Sequence, residues 1–223
     1  IASCLVGSEM CIRDRPRHVR GILSDDKFII SLSEGRVCAS QRQGLGRWSM
    51  QIEDHAPGVA LAGLCASPQS ASSDIIVGGA APNSHDALFA LHSISGRVVR
   101  RAVSDGTVTQ LRKGSRYLCV GTEQGTIQLH DPRSLRAEHK LPAHHGGLID
   151  LQTDGHLIYS IGWTLRQGRR IPEPFIKTHD VRTMQALIPT PLTAPGGPAL
   201  LAIHPKKSLS LIHISEPTRQ EAI

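Results

Sequence analysis

Aromatic residues are scarce in this chain: Phe, Trp and Tyr together make up 3% of its 223 residues. A surface that binds single-stranded nucleic acid usually interleaves basic side chains with aromatic faces for base stacking. The net charge of +6 therefore favours phosphate-bearing partners only weakly. No run of about 18 apolar residues occurs, which excludes a membrane-spanning helix. The five cysteines, Cys4, Cys11, Cys38, Cys65 and Cys119, form neither a C-x-x-C pair nor an even framework. That usage suits a reducing intracellular compartment with buried thiols.

Catalytic signatures are missing as well. There is no G-x-S-x-G elbow, no P-loop and no G-x-G-x-x-G after a strand, and Gly44-Leu45-Gly46 is too short to be more than a turn. Asp25, Asp26, Asp105, Asp131 and Asp154 all neighbour turn residues, where Asp bonds its own backbone. None of them clusters as a two-metal carboxylate site would require. The expectation is a chain with no catalytic residue, no metal site and no cofactor.

What is present is ordinary for a globular protein, with 39% hydrophobic and 20% charged residues. The ends are an exception. Residues 4–15 and 209–219 resemble translated sequencing-adapter read-through, and the chain does not begin with Met. Segments 1–15 and 208–223 are accordingly assigned to artefact, leaving 16–207 as the native domain.

Within that domain, helix-period stretches longer than two turns are hard to find. Short β-rich runs lie instead at 27–32, 74–77, 87–92, 117–120, 126–130, 156–161 and 175–179, separated by Gly, Asp, Asn and Ser. Such spacing indicates a sandwich, a barrel or a propeller. Self-similarity selects the propeller. A strand ending in glycine recurs as Ile76-Val77-Gly78, Cys119-Val120-Gly121 and Ser160-Ile161-Gly162, with the glycines 43 and 41 residues apart, the period of a WD repeat. Each is followed by a strand ending in His92, His130 or His179, and Asp131 and Asp180 follow the last two where a WD repeat carries Trp-Asp. Ala143-His144-His145-Gly146-Gly147 stands where a Gly-His signal leads into a blade, and Leu201-Ala202-Ile203-His204-Pro205 reads as the opening strand of the next.

The fold class is all-β, a partial WD-repeat propeller of about four blades from a seven-bladed ring, with a sandwich as the competing architecture. Four blades leave an edge open, and unpaired edges are sticky. His92, His130, His179 and the His144-His145 pair are assigned to hydrogen bonding within the repeat rather than to metal. One segment departs from the repeat: 163–174 is long and basic, and reads as a loop. Its Arg166, Arg169 and Arg170 are the candidate partner-binding residues.

Several stretches resemble one family. Gly121-Thr122-Glu123-Gln124-Gly125-Thr126-Ile127-Gln128-Leu129-His130-Asp131-Pro132, then Ala143-His144-His145-Gly146, then Gly162-Trp163-Thr164-Leu165-Arg166 and Pro174-Phe175-Ile176-Lys177-Thr178-His179-Asp180 are similar to the N-terminal propeller of the catalytic subunit of the Pan deadenylase. Glu173 departs from the family's Asp, His179 from an aromatic and Ile161 from a small or thiol residue. The resemblance implies a cytoplasmic scaffold, present also in processing bodies, from a poly(A)-shortening ribonuclease. It implies as partners a pseudokinase-like regulatory subunit, poly(A)-binding protein and, through the complex, poly(A) RNA. The family's divalent metal belongs to a nuclease domain beyond this chain. The alternative is a stand-alone WD-repeat adaptor of another intracellular assembly; a propeller hydrolase or metal enzyme would need histidines converging on a common cavity.

Overall fold

A computed structural model describes residues 19–24, 28–33, 35–52, 60–67, 74–80, 86–192, 197–198 and 200–203. The two terminal segments 1–15 and 208–223, Asp25, Asp26 and the His204-Pro205 pair lie outside the described residues. Apart from a 3-10 turn at Ile52, the regular structure in the rest is β, in four sheets. The first holds β1 (Gly21–Ser24), β2 (Phe28–Leu32), β3 (Arg36–Gln41) and β4 (Gly46–Gln51). The second holds β5 (Ala60–Ala66), β6 (Asp74–Ala80), β7 (Asp86–His92) and β8 (Val98–Val103). The third holds β9 (Val108–Lys113), β10 (Leu118–Thr122), β11 (Thr126–His130) and β12 (Ala137–Pro142). The fourth is built on β13 (Gly147–Asp154), β14 (Leu157–Arg166), β16 (Phe175–Asp180) and β17 (Gln185–Ala186), with β15 (Arg169–Pro172) added to β14 and β18 (Thr190–Pro191) to β16.

Each sheet is an antiparallel meander in chain order, and the sheets stack serially through shared cores. Ile75, Val77, Phe89 and Leu91 of the second pack with Leu32, Val37 and Ile52 from the first. Ile76 and Leu88 turn the other way, onto Leu111, Leu118 and Val120 of the third. Adjacent residues of β6 thus serve opposite interfaces, as the period of two along a strand requires, and its middle is buried on both faces. Ile127 and Leu129 repeat the arrangement with Leu148, Leu151 and Ile158. Two sheets of a sandwich would share one core; four sheets with an interface between each successive pair are propeller blades, and among the described residues they do not close a ring.

The glycine period has a packing cause. A Cβ on Gly78 would lie 3.2 Å from Leu111 Cδ1, and one on Gly121 would lie 2.8 Å from Leu148 Cδ2. In both blades the glycine admits a leucine from the inner strand of the next blade. The turns after the third strand also repeat. Asp131 accepts from the amides of Arg133 and Ser134 at 3.1 Å each, and Asp180 from that of Arg182 at 2.8 Å. Leu135 and Met184 follow at φ 58° and 55°.

Two expectations are corrected. Residues 163–174 are not a loop: most of them form the two strands of a hairpin, because β14 runs on past its pairing with β16 and folds back as β15. Residues 201–203 form no strand; Leu201 is held by side chains, its amide donating to Asp150 Oδ2 at 2.9 Å and its carbonyl accepting from Gln152 Nε2 at 2.9 Å.

Candidate interaction site

The hairpin turn falls at Gln167 and Gly168, with φ values of 51° and 77°. Two successive left-handed residues make the tight turn whose twist matches paired strands. The register is Trp163↔Pro172, Thr164↔Ile171, Leu165↔Arg170 and Arg166↔Arg169. Directly opposed residues share a face and faces alternate along a strand. One face therefore carries Trp163, Leu165, Arg170 and Pro172, and the other Thr164, Arg166, Arg169 and Ile171. Since Trp163 already pairs with Gly147, the first residue of β13, residues 164–171 project past the end of the blade.

The three arginines are thereby separated. Arg170 places its guanidinium 4.5 Å from the centroid of the Trp163 ring and an NH group 3.7 Å from Glu123 Oε1 on the third blade. An exposed cation–π contact contributes about 0.5–1 kcal/mol and an exposed ion pair about 0–1 kcal/mol. Trp163 in turn sits on the glycine pair that opens β13, where Cβ atoms on Gly146 and Gly147 would come within 2.5 and 2.6 Å of its ring. Arg166 and Arg169 face each other across the turn, both exposed, with no ion pair to any described residue. Like charges directly opposed are mildly destabilising, so nothing in the fold itself accounts for this pair.

Below the hairpin lies a buried polar network. His144 Nδ1 is 3.1 Å from Glu173 Oε2, and His144 Nε2 is 3.0 Å from Ser160 Oγ. Lys177 Nζ is 2.7 Å from the same carboxylate oxygen and donates to the Ala143 carbonyl at 2.6 Å. A carboxylate only accepts, so Nδ1–H donates to Glu173; the neutral ring that burial favours then takes the Ser160 hydroxyl proton at Nε2, in place of the longer 3.4 Å bond from Ser160 Oγ to the Lys177 carbonyl. The imidazole is neutral in that arrangement, and burial pushes its pKa down against the opposing pull of Glu173. Burial raises the Glu173 carboxyl, but the hydrogen bonds from Lys177 and His144, together with the Lys177 charge, outweigh it and leave it below its ordinary value. The network joins the connection before β13, the middle of β14 and β16, and so fixes the base from which the hairpin rises.

The remaining histidines are dispersed. His130 bonds the Leu135 carbonyl at 2.8 Å and Gln128 Oε1 at 3.0 Å, and His92 bonds Ser95 Oγ at 3.1 Å. His179 is buried with Nδ1 lacking a hydrogen-bond partner among the described residues. No group of three or more His, Cys, Asp or Glu side chains among the described residues is placed to hold a metal. A cleft of about 870 Å³ between β4 and β8 is lined by Arg36, Arg97, Arg100 and Arg101. Its Arg100 guanidinium is committed to Asp74 Oδ2 at 2.6 Å and to the Pro132 and Arg133 carbonyls.

Sequence reasoning found the arginines but missed Trp163, Glu123 and the Glu173–Lys177 pair. The available signals were Gly146-Gly147 at the start of a strand, which announces a close approach, and an acid four residues before the lysine of the next long β run.

Comparison with known proteins agrees with this architecture. The family described as PAN2 N-terminal matches residues 60–221. The catalytic subunit pan2 of the PAN2-PAN3 deadenylation complex from Schizosaccharomyces pombe is 30% identical over 195 residues, covering 87% of this chain and 17% of that protein. The corresponding PAN2 of Cryptococcus neoformans is 28% identical over 202 residues, covering 89% and 16%. The chain thus spans about a sixth of the length of these relatives. Among solved structures, the Neurospora crassa Pan2 WD40 domain aligns with a TM-score of 0.67 at 25% identity, covering 78% of this chain and 52% of that one. The WD40 propeller domain of Doa1, at 13% identity and a TM-score of 0.60, supports the fold alone. With blades, repeat period and family match in agreement, the chain belongs to the PAN2 N-terminal family and forms part of its WD-repeat propeller.

Proposed function

We propose that this chain serves as a non-catalytic contact surface in the catalytic subunit of a deadenylation complex, which shortens mRNA poly(A) tails in the cytoplasm. The observation that carries this reading is the projecting β14–β15 hairpin, with Arg166 and Arg169 exposed and without an ion pair to any described residue. Its relatives are named as catalytic subunits of the PAN2-PAN3 complex, so the first partner is the pseudokinase-like regulatory subunit. Poly(A)-binding protein and poly(A) RNA are reached through that complex. Catalysis and its divalent metal belong to another part of the subunit, and this part requires no cofactor.

The test uses the full-length catalytic subunit. Replacing Arg166, Arg169 and Arg170 together by Ala should weaken co-purification with the regulatory subunit or with poly(A)-bound poly(A)-binding protein. Trimming of naked poly(A) should be preserved. Retention of both interactions across a salt series removes the hairpin from the reading. Magnesium-dependent poly(A) trimming by the purified propeller segment would overturn its non-catalytic assignment.

A further inference from the structure

We infer that the hairpin face bearing Arg166, Arg169 and Ile171 receives an acidic, partly apolar segment of a partner protein, while Arg170 positions the hairpin. The inference rests on the reading of this chain as a contact surface and names the ligand chemistry of that surface. Three observations lead to it.

The first is the division of charge by register. Arg170 lies on the opposite face from Arg166 and Arg169, against Trp163 and toward Glu123. Its charge is engaged within the protein. Arg166 and Arg169 are opposed across the turn, which brings their Cβ atoms to about 5 Å. Two guanidinium forks carried on neighbouring stems can grip successive carboxylates, each by two parallel hydrogen bonds. Carboxylates supplied from outside also relieve the repulsion between the two arginines.

The second concerns what accompanies the charge. Ile171, on the arginine face, is 41% exposed. An apolar side chain beside an arginine pair suits a protein segment with an aliphatic residue among its acids. A nucleic-acid strand would call instead for an aromatic face to stack its bases. The hairpin's aromatic ring, Trp163, is half-buried and already carries Arg170.

The third is rigidity. The turn is short and left-handed at both residues, Trp163 is lodged against Gly146 and Gly147, and Arg170 ties the strand to the third blade. A pre-ordered hairpin loses little conformational freedom on binding, so the arginine pair is presented in one arrangement.

The experiment measures binding of two fluorescent probes to the full-length catalytic subunit in EDTA, which withholds the metal for cleavage. One probe is a peptide of eight glutamates around a central leucine; the other is a 20-nucleotide poly(A) RNA. Arg166→Glu combined with Arg169→Glu should weaken the peptide about tenfold or more at low salt and reduce the salt dependence of its binding. Poly(A) binding should change far less. Arg170→Ala should weaken the peptide by a smaller factor at an unchanged melting temperature. Arg170→Lys, which keeps a cation over the indole, should recover most of that loss, a rescue that general destabilisation would not give. Peptide affinity unaltered by the double reversal overturns the inference, and so does a loss of poly(A) binding equal to or larger than that of the peptide.

Co-purification with the regulatory subunit, measured on these variants and on the triple-alanine variant, separates the two failures. If the triple-alanine variant loses the partner while peptide affinity never responds, the contact surface stands and its acidic ligand does not. If neither responds, the contact reading itself fails.

Discussion

His144 Nδ1 and Glu173 Oε2 stand 3.1 Å apart in the interior of the fourth blade, although 29 residues separate them along the chain. The glutamate carboxylate meets both the imidazole and Lys177 Nζ, the latter at 2.7 Å. A buried charge is tolerated here because each oxygen is used: Oε2 accepts from His144 and Lys177, and Oε1 lies 3.4 Å from the His145 amide.

Glu173→Ala should destabilise the fold by about 3 kcal/mol, because removing one member of a buried pair strands the charge of the other. Urea unfolding of the propeller segment measures it. A loss below about 1 kcal/mol, the range of surface ion pairs, would show that Lys177 finds water without cost.

Acidification should destabilise the protein before any carboxylate titrates. Burial lowers the pKa of His130, His144 and His179 from 6.5. The unfolded chain therefore takes up protons near pH 6.5 while the folded imidazoles do so only at lower pH, and stability falls as the pH drops below 6.5. The carboxyl of Glu173 is lowered from 4.5, so its contribution is complete above that value and disappears only further down. The melting temperature should drop between pH 7.5 and 5.5; a flat or rising profile over that interval contradicts the neutral assignment of His144.

Leu135 separates backbone strain from burial. It is fully buried in the core between the second and third blades, yet sits at φ 58°. Leu135→Ala should cost about 3 kcal/mol through the lost side chain. Leu135→Gly loses slightly more volume but removes a left-handed penalty of about 1 kcal/mol. Glycine should therefore be the milder substitution, and the reverse order in thermal melts would place the strain elsewhere.

The cysteines should differ in reactivity. Burial raises the thiol pKa of Cys65 and of Cys119 to about 12 in each case, so neither supplies thiolate at neutral pH. Cys38 is half-buried beside Ser49. Peptide mapping after iodoacetamide treatment of the folded protein should find Cys38 labelled well before Cys65 or Cys119. Equal labelling would mean that the blades open readily.

The amino-acid order by itself determined the strands that carry the core. β11 coincides with its predicted range, and the expected runs in β2, β6, β7, β10 and β16 fall within a residue or a few of the observed strands. It also determined the blade period, because Gly78 and Gly121 recur wherever the next blade inserts a leucine. The outer strands were illegible for a physical reason. β12 is exposed along most of its length and β8 is at most half-buried, so neither needs the apolar alternation by which a strand is recognised. Tertiary structure decided the rest. Arg166, Arg169 and Arg170 are equivalent in a basic stretch of sequence, and only the register of a hairpin puts two of them on one face and stacks the third on Trp163. Likewise His144, Ser160 and the neighbouring pair Glu173 and Lys177 come from three separate segments of the chain, and only the pairing of β14 with β13 and β16 brings their polar atoms into one buried network. Local patterning reports how much of a residue is buried; which charges meet is a property of register and blade packing, set by contacts between distant segments.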